Sequence, residues 1–196
     1  MKTKFLLLTA VIAAAVVALA TPTQSAEKAE TWEVDPVHSS VVFRIKHMDV
    51  SWFYGRFNKV SGSVTLDPSA ANGGSVSMEI PADSVDTANE QRDGHLKGTD
   101  FFNVKQFPSI RFESTKIAKV DDTHLDVTGK LTLHGVTKEI TVRMEQTGTG
   151  KGMRGEMRIG FHGSFSIDRT DYGIDWRPEV LGKEVTLTLG IAAVKK

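Results

Sequence analysis

The sequence contains no cysteine, and its charges of the two signs are balanced. Without a thiol, the chain can form no disulfide, no thiolate nucleophile, no zinc-thiolate site and no lipid-modified cysteine. The 24 Lys and Arg residues equal the 24 Asp and Glu residues in number, and both signs are scattered along the 196 positions. No run of basic residues suits a phosphate backbone. The composition therefore predicts one globular domain with no nucleic-acid partner.

The N-terminus has the residue order of a secretory signal peptide. Lys2 and Lys4 precede an apolar run at residues 5–20, and small or polar residues follow at 21–26. We expect cleavage after Ala26, with Ala20 as the alternative position, and a domain at residues 27–196. The apolar run is shorter than the roughly 20 residues of a membrane span, so a retained anchor is the weaker alternative. The sequence thus predicts an exported protein, periplasmic or secreted, that is not membrane-anchored after cleavage.

The rest of the chain alternates between apolar and polar side chains. The alternation is regular at residues 124–133, and it recurs at 41–45, 76–80, 136–144, 157–165 and 185–193. This period of two predicts about eight antiparallel strands. The pattern slips by one residue within 56–66 and within 110–120, which predicts bulges there. The glycine-rich residues 148–152 predict a hairpin loop.

Strands of this number and length can close into an antiparallel β-barrel whose interior fills with side chains or holds one ligand. An all-β barrel is therefore our prediction, and a two-sheet sandwich with a filled core is the alternative. The polar residues 88–97, followed by Gly98, predict a short helix in the one long connection of the chain.

Motifs for catalysis and for metal binding are lacking. The six histidines show no HExxH-type spacing, no G-x-S-x-G elbow occurs, and no Gly-Lys pair is followed by Ser or Thr as in a phosphate-binding loop. We therefore predict no catalytic residue, no metal and no cofactor. His47, at the end of an apolar face, and His95, in the predicted helix, are the histidines most open to a chemical role, although a structural role is favoured for each.

Three blocks of residues resemble the YceI-like family of bacterial periplasmic and secreted proteins. The first block lies in the long connection and after it, the second in the central hairpin, and the third in the first strands. They comprise 84–87 with Arg92-Asp93, His95-Leu96, 100–102, Phe107-Pro108 and 112–115; then 131–138; and then 38–43 with Lys46-His47, Gly55 and Phe57. The resemblance extends from about Thr31 to Val194.

The resemblance implies a lipocalin-like, extended antiparallel β-barrel that binds a long isoprenoid or similar lipid in its interior, commonly as a dimer. It implies no established reaction. The alternation supplies a set of inward apolar side chains that would line such a tunnel: Val41, Phe43, Ile45, Val127, Leu131, Ile159, Phe161, Leu187 and Leu189. Our hypothesis is a periplasmic binding or carrier protein for polyisoprenoids, such as isoprenoid quinones or their precursors.

A polar or anionic head group would need hydrogen-bond donors at the mouth of the tunnel. The candidates are Arg56, Arg92 and His95. Arg92 and His95 are three residues apart, so on one helical turn they would project from the same side.

Two other functions stay open. An enzyme acting on the bound lipid would use His47 or His95 together with a nearby carboxylate, Asp93 or Asp100. A stress-related scavenger of amphipathic compounds would need the apolar interior alone.

Overall fold

The computed structural model describes residues 28–67, 70 and 72–196, which form mainly antiparallel strands. The predicted signal peptide lies outside the described residues. The strands are β1 (Glu30–Val34), β2 (Ser40–His47), β3 (Ser51–Phe57), β4 (Ser61–Leu66), β5 (Gly74–Pro81), β6 (Val85–Asp86), β7 (Ser109–Lys119), β8 (His124–Leu133), β9 (Val136–Lys151), β10 (Met157–Asp168) and β11 (Leu181–Lys195). The described part of the chain also contains the helix α1 (Glu90–Lys97) and 3-10 turns at Ala82–Ser84 and Arg169–Tyr172.

The strands close into one barrel. Neighbours follow the order β1-β4-β5-β7-β8-β9-β10-β11, and β11 pairs back with β1. β1 and β2 share one position around the barrel, because residues 193–195 of β11 pair with β1 while residues 181–190 pair with β2. β3 and β4 share the next position, since they pair with β2 and β1 respectively. The barrel therefore has eight positions, as predicted, and the sandwich alternative is wrong.

The strand pairing gives the barrel two different ends. At the end that we call the helix end, His47 pairs with Leu181, and α1 and the segment 169–180 lie nearby. At the opposite end, the core end, Arg158 pairs with Val194, next to β1. The core cluster there is built on buried side chains that include Trp32, Val34, Ile159 and Ala193. The cluster at the helix end is smaller and comprises Phe101, Leu131, Leu133, Tyr172 and Ile174.

The predicted helix is present as α1. Its N-cap is Asn89, whose side-chain oxygen accepts a hydrogen bond from the Arg92 backbone N–H at 3.0 Å, and Gly98 ends it. None of its residues is buried. Within the described residues, no helix has the length and apolar character that a membrane crossing requires.

The positions of the bulges and loops agree only in part with those predicted from the sequence. β7 carries the predicted bulge, between Ser114 and Lys116. The slip within 56–66 is a break between β3 and β4 at residues 58–60, because the chain passes there from one pairing partner to another. The hairpin loop predicted at 148–152 was wrong: β9 continues to Lys151 in pairing with β10, and the turn follows at residues 152–155.

Candidate functional site

A cavity of about 610 Å³ occupies the barrel interior. It runs along the strands, since β8 contributes Leu125 and Leu133, from its two ends, to the same wall. At about 3.4 Å per residue this stretch of strand is about 27 Å long. The predicted tunnel residues that line the cavity are Val41, Phe43, Ile45, Val127, Leu131, Phe161, Leu187 and Leu189.

Ile159 is the exception among the predicted tunnel residues. It is buried, with 4% of its surface exposed, but it packs in the core cluster with Trp32 and Ala193 and is not part of the cavity wall. The alternation correctly predicts that the Ile159 side chain points into the barrel. Its position near the core end of β10, opposite Ala193 of β11, places it where the side chains fill the barrel.

Two further buried side chains, together with Val127, form the cavity wall in the middle of the barrel. Ile117, Val127 and Val142 lie on adjacent strands and are paired across them, Val127 with both neighbours. Each is at most 6% exposed, yet none belongs to either packed cluster. All three side chains face the cavity.

The charged and titratable side chains of the cavity wall lie at the helix end. They are His47, Arg92, His95 and Arg169, and the side chains around them are apolar or aromatic. The cavity therefore has an apolar body and one polar end. A ligand with a hydrocarbon tail and a polar head fits this arrangement in one orientation, with its head at the helix end.

Arg92 lies in the cavity wall, as predicted, and is held by protein contacts. Its Nε and Nη2 donate hydrogen bonds to the side chain and the carbonyl oxygen of Thr87, at 2.8 and 2.7 Å. Its guanidinium lies over the ring of Phe53, 4.3 Å from the ring centroid. These contacts leave both N–H groups of Nη1 and the second N–H of Nη2 as donors that a ligand can use.

His95 also lies in the cavity wall, and its orientation is fixed from two sides. Its Nε2 donates a hydrogen bond to Asp100 Oδ2 at 2.9 Å. Its ring packs edge-on against Phe101 and Trp176, with centroid distances of 5.0 and 5.1 Å. Asp93, the other carboxylate considered with His95, instead accepts hydrogen bonds from Thr87.

The prediction for Arg56 was wrong, because this side chain is exposed on the outer face of β3 and is not in the cavity wall. Its neighbours Gly55 and Phe57 are buried, and side chains alternate along a strand, so Arg56 must point outward. It lies opposite Asp86 of β6. The pKa of Asp86 is lowered by a hydrogen bond from Asn58 and, to a smaller extent, by the charge of Arg56.

Arg169 is the residue of the site that the sequence did not reveal. It is 3% exposed, and its guanidinium donates hydrogen bonds to four carbonyl oxygens, those of Ile174, Trp176, Leu181 and Gly182. Burial lowers the pKa of this guanidinium. Arg169 holds the segment 174–182 against the helix end of the barrel and thereby positions Trp176 beside His95.

His47, the remaining histidine considered for chemistry, lines the cavity at the last residue of β2. Within the described residues it forms no hydrogen bond or ion pair with a carboxylate. The same residues contain no group of three or more His, Asp or Glu side chains placed to hold a metal ion.

Comparisons with known proteins agree with this architecture. Residues 32–193 match the YceI-like domain family. A UPF0312 protein of Pseudomonas aeruginosa is 40% identical over 159 residues, which cover 81% of this chain and 83% of that protein. The crystal structure of Burkholderia cenocepacia BcnA superimposes with a TM-score of 0.73 at 28% identity, over 81% of this chain and 98% of the other. A polyisoprenoid binding domain from Saccharophagus degradans has the same fold, with a TM-score of 0.66 at 18% identity over 84% and 98% of the two chains.

Proposed function

The chain belongs to the YceI-like domain family, and we propose that it is a periplasmic binding or carrier protein for a long polyisoprenoid lipid held in the barrel. The observation that carries the proposal is the cavity, which is apolar along its length and polar at one end. The description of the Saccharophagus degradans domain as polyisoprenoid binding is consistent with this ligand class, although that protein shares only the fold.

The size and the lining of the cavity suit a long hydrocarbon. Its volume of about 610 Å³ lies within the range of roughly 300–1,000 Å³ that is usual for ligand pockets. Burial of each methylene group contributes about 0.8 kcal/mol before the costs of association. A branched prenyl chain therefore binds strongly through its tail, without any catalytic geometry.

The polar end suits an uncharged oxygenated head better than a dianion. Arg169 donates four of its five N–H groups to carbonyl oxygens, Arg92 donates two of its five to Thr87, and His95 is bonded to a carboxylate. What is left for a ligand is a small number of N–H donors, mainly those of Arg92, in a wall that also holds the aromatic ring of Trp176. A quinone or phenol ring, with oxygens to accept these donors and a face to stack, matches them. Isoprenoid quinones and their precursors are therefore the ligands that we propose.

The periplasmic location rests on the sequence. The predicted leader at residues 1–26 precedes the region that matches the family. N-terminal sequencing of the protein from its producing cells tests this part of the proposal. Recovery of a chain that retains Met1 in the membrane fraction would overturn it.

A second candidate function is catalysis on the head group of the bound lipid, and one observation favours it. The hydrogen bond between His95 and Asp100 is of the kind that orients a general base, and His95 faces the cavity. His95→Ala distinguishes the two functions. In a carrier, the variant should weaken binding of the ligand by about 1–3 kcal/mol. The ligand should stay chemically unchanged. In an enzyme, conversion should fall by about 100–10,000-fold at nearly unchanged affinity.

The experiment that tests the proposal is gentle extraction of the native protein, followed by mass spectrometry of the lipid that accompanies it. An intact polyisoprenoid quinone or precursor at a fixed ratio to protein is the expected result. Chemically altered lipid would favour the enzyme. A mixture of unrelated amphipathic compounds would favour the scavenger. A protein that carries nothing and binds no added quinone would contradict all three.

A further inference from the structure

The outer face of the hairpin formed by β2 and β3 combines cations with aromatic rings. On β2 the outward residues include Arg44 and Lys46, and on β3 they include Trp52 and Tyr54. The register places Arg44 opposite Tyr54 and Lys46 opposite Trp52. Residues that are separated along the sequence thus form one cationic and aromatic surface, which we call the hairpin face (Arg44, Lys46, Trp52 and Tyr54).

The cations of the hairpin face have no acidic partner. Within the part of the chain that the structure describes, neither Arg44 nor Lys46 forms an ion pair. Both lie over the ring of Trp52, with distances of 4.5 Å and 5.1 Å to its centroid. Trp52 and Tyr54 are 44% and 56% exposed. The carboxylates near them by strand register are those of Asp49, in the turn, and Glu184 of β11, next to the Val185–Ile45 pair; neither forms an ion pair with Arg44 or Lys46.

That turn exposes two apolar side chains. Met48 is 60% exposed and Val50 is 83% exposed. Met48 and Asp49 have positive φ angles of 51° and 54°, and the Val50 N–H donates to the His47 carbonyl oxygen at 3.0 Å, which is the geometry of a type I′ turn. Asn and Gly are the residues that favour this turn. Met48 occupies a backbone conformation that suits it poorly, and its side chain points into solvent, where it contributes nothing to the barrel core.

The hairpin face adjoins the helix end of the cavity. His47 and Phe53, on the two sides of the turn, line the cavity. The Met48 N–H donates to the carbonyl oxygen of Val180, which lines it too. The exposed apolar tip and the unpaired cations are therefore next to the helix end of the cavity.

We propose that the hairpin face and its tip dock on the surface of an anionic lipid bilayer. Tryptophan and tyrosine rings concentrate at the interface between membrane and water, Lys and Arg attract anionic head groups, and exposed aliphatic side chains enter the acyl region. The hairpin presents these three features in one protruding element. Docking in this way brings the helix end of the cavity to the bilayer surface, where a ligand would pass between membrane and barrel. This use of the surface rests on the proposed function, whereas the docking itself does not.

The test is flotation of the purified protein with vesicles, with no cargo lipid added. We expect binding to vesicles of phosphatidylglycerol and phosphatidylethanolamine, weak binding to phosphatidylcholine, and release by salt. Each cation near an anionic surface contributes about fivefold to partitioning, so Arg44→Gln combined with Lys46→Gln should lose about thirtyfold. Met48→Ser combined with Val50→Ser should lower binding to the anionic vesicles as well.

Matched controls lie at the opposite end of the barrel. Lys151→Gln combined with Arg154→Gln changes the net charge by the same amount, and Met153→Ser removes another fully exposed apolar side chain. These variants should float like the unmodified protein. Equal losses in the variants and the controls, or no flotation of the unmodified protein, would overturn the proposal. So would sedimentation data that show a dimer abolished by the Arg44 and Lys46 changes, since a second copy would then cover the face. Vesicle binding by a protein that carries no polyisoprenoid would refute the proposed ligand and leave the docking surface standing.

Discussion

Val127→Phe and Val34→Phe are the same substitution at two buried positions with different surroundings. Val127 is 6% exposed and faces the cavity, and Val34 is 5% exposed and packs in the core cluster. Because Val127 borders the cavity, the added ring at 127 has room. The added ring at 34 does not, since Trp32 and Ala193 lie in the same packed cluster.

The expected magnitudes differ accordingly. Overpacking a filled core costs about 1–3 kcal/mol, so Val34→Phe should lower the free energy of unfolding by that amount. Val127→Phe should change it by less than about 1 kcal/mol in lipid-free protein. Phenylalanine has four more carbons than valine, and each displaced ligand methylene is worth about 0.8 kcal/mol. Val127→Phe should therefore weaken binding of a cavity-filling ligand by up to about 3 kcal/mol, or roughly a hundredfold in Kd.

Two measurements separate these effects. Urea unfolding of delipidated protein gives the stability without the contribution of bound ligand. Titration with decylubiquinone, followed by quenching of tryptophan fluorescence, gives the affinity, because Trp176 lies in the cavity wall. The reasoning is refuted if Val127→Phe destabilises the protein as much as Val34→Phe while its affinity for the quinone is unchanged.

Three further predictions concern the polar contacts of the barrel. A hydrogen bond from Arg158 holds the pKa of Asp35 well below its usual range, so the stability that this carboxylate contributes is present above about pH 4 and is lost as the pH falls. Asp35→Asn should lower the free energy of unfolding by about 1.5–3 kcal/mol at pH 7 and by less at pH 3, as urea titrations at the two pH values can show. Arg169→Leu should cost roughly 3 kcal/mol or more in the same titration at pH 7, because four carbonyl oxygens lose their donor. Asn89→Ala should speed amide exchange in α1, corresponding to about 1 kcal/mol, while the global midpoint hardly changes, since α1 buries no residue.

The fold could be predicted because the pattern that indicates it, the alternation of apolar and polar residues, lies within single strands. An antiparallel barrel with a sealed interior needs one apolar and one polar face on nearly every strand, and the alternation at 124–133 records this directly. The bulge in β7 is visible for the same reason, since one extra residue shifts the phase of the pattern. The strand at 148–151 escaped prediction because Gly148 and Gly150 carry no side chain to show alternation, and β-pairing with β10 decides their conformation.

Residues at the polar end of the site could be predicted to lie together only where one helix or strand carries them. Arg92 and His95 lie on one helical turn, so their spacing was enough to place them together. Arg169 had no such signal, because its four partners lie in a segment that folds back over it. The hairpin face was equally hidden, because Lys46 and Trp52 meet only through the register of β2 and β3.

The alternation also cannot separate a filled interior from a hollow one. Ile159 and Phe161 are neighbours on the same inward face of β10 and are almost equally buried, at 4% and 6% exposed. Only Phe161 reaches the cavity, whereas Ile159 sits beside Trp32 and Ala193. The difference depends on what the other strands contribute at each level: Ile159, opposite Ala193, lies wholly within the core cluster, whereas Phe161, two residues nearer the helix end, belongs to that cluster and also borders the cavity. Whether a barrel is hollow therefore depends on side chains from several strands that meet at the same level along the barrel axis. The pattern along one strand carries no information about how those side chains meet.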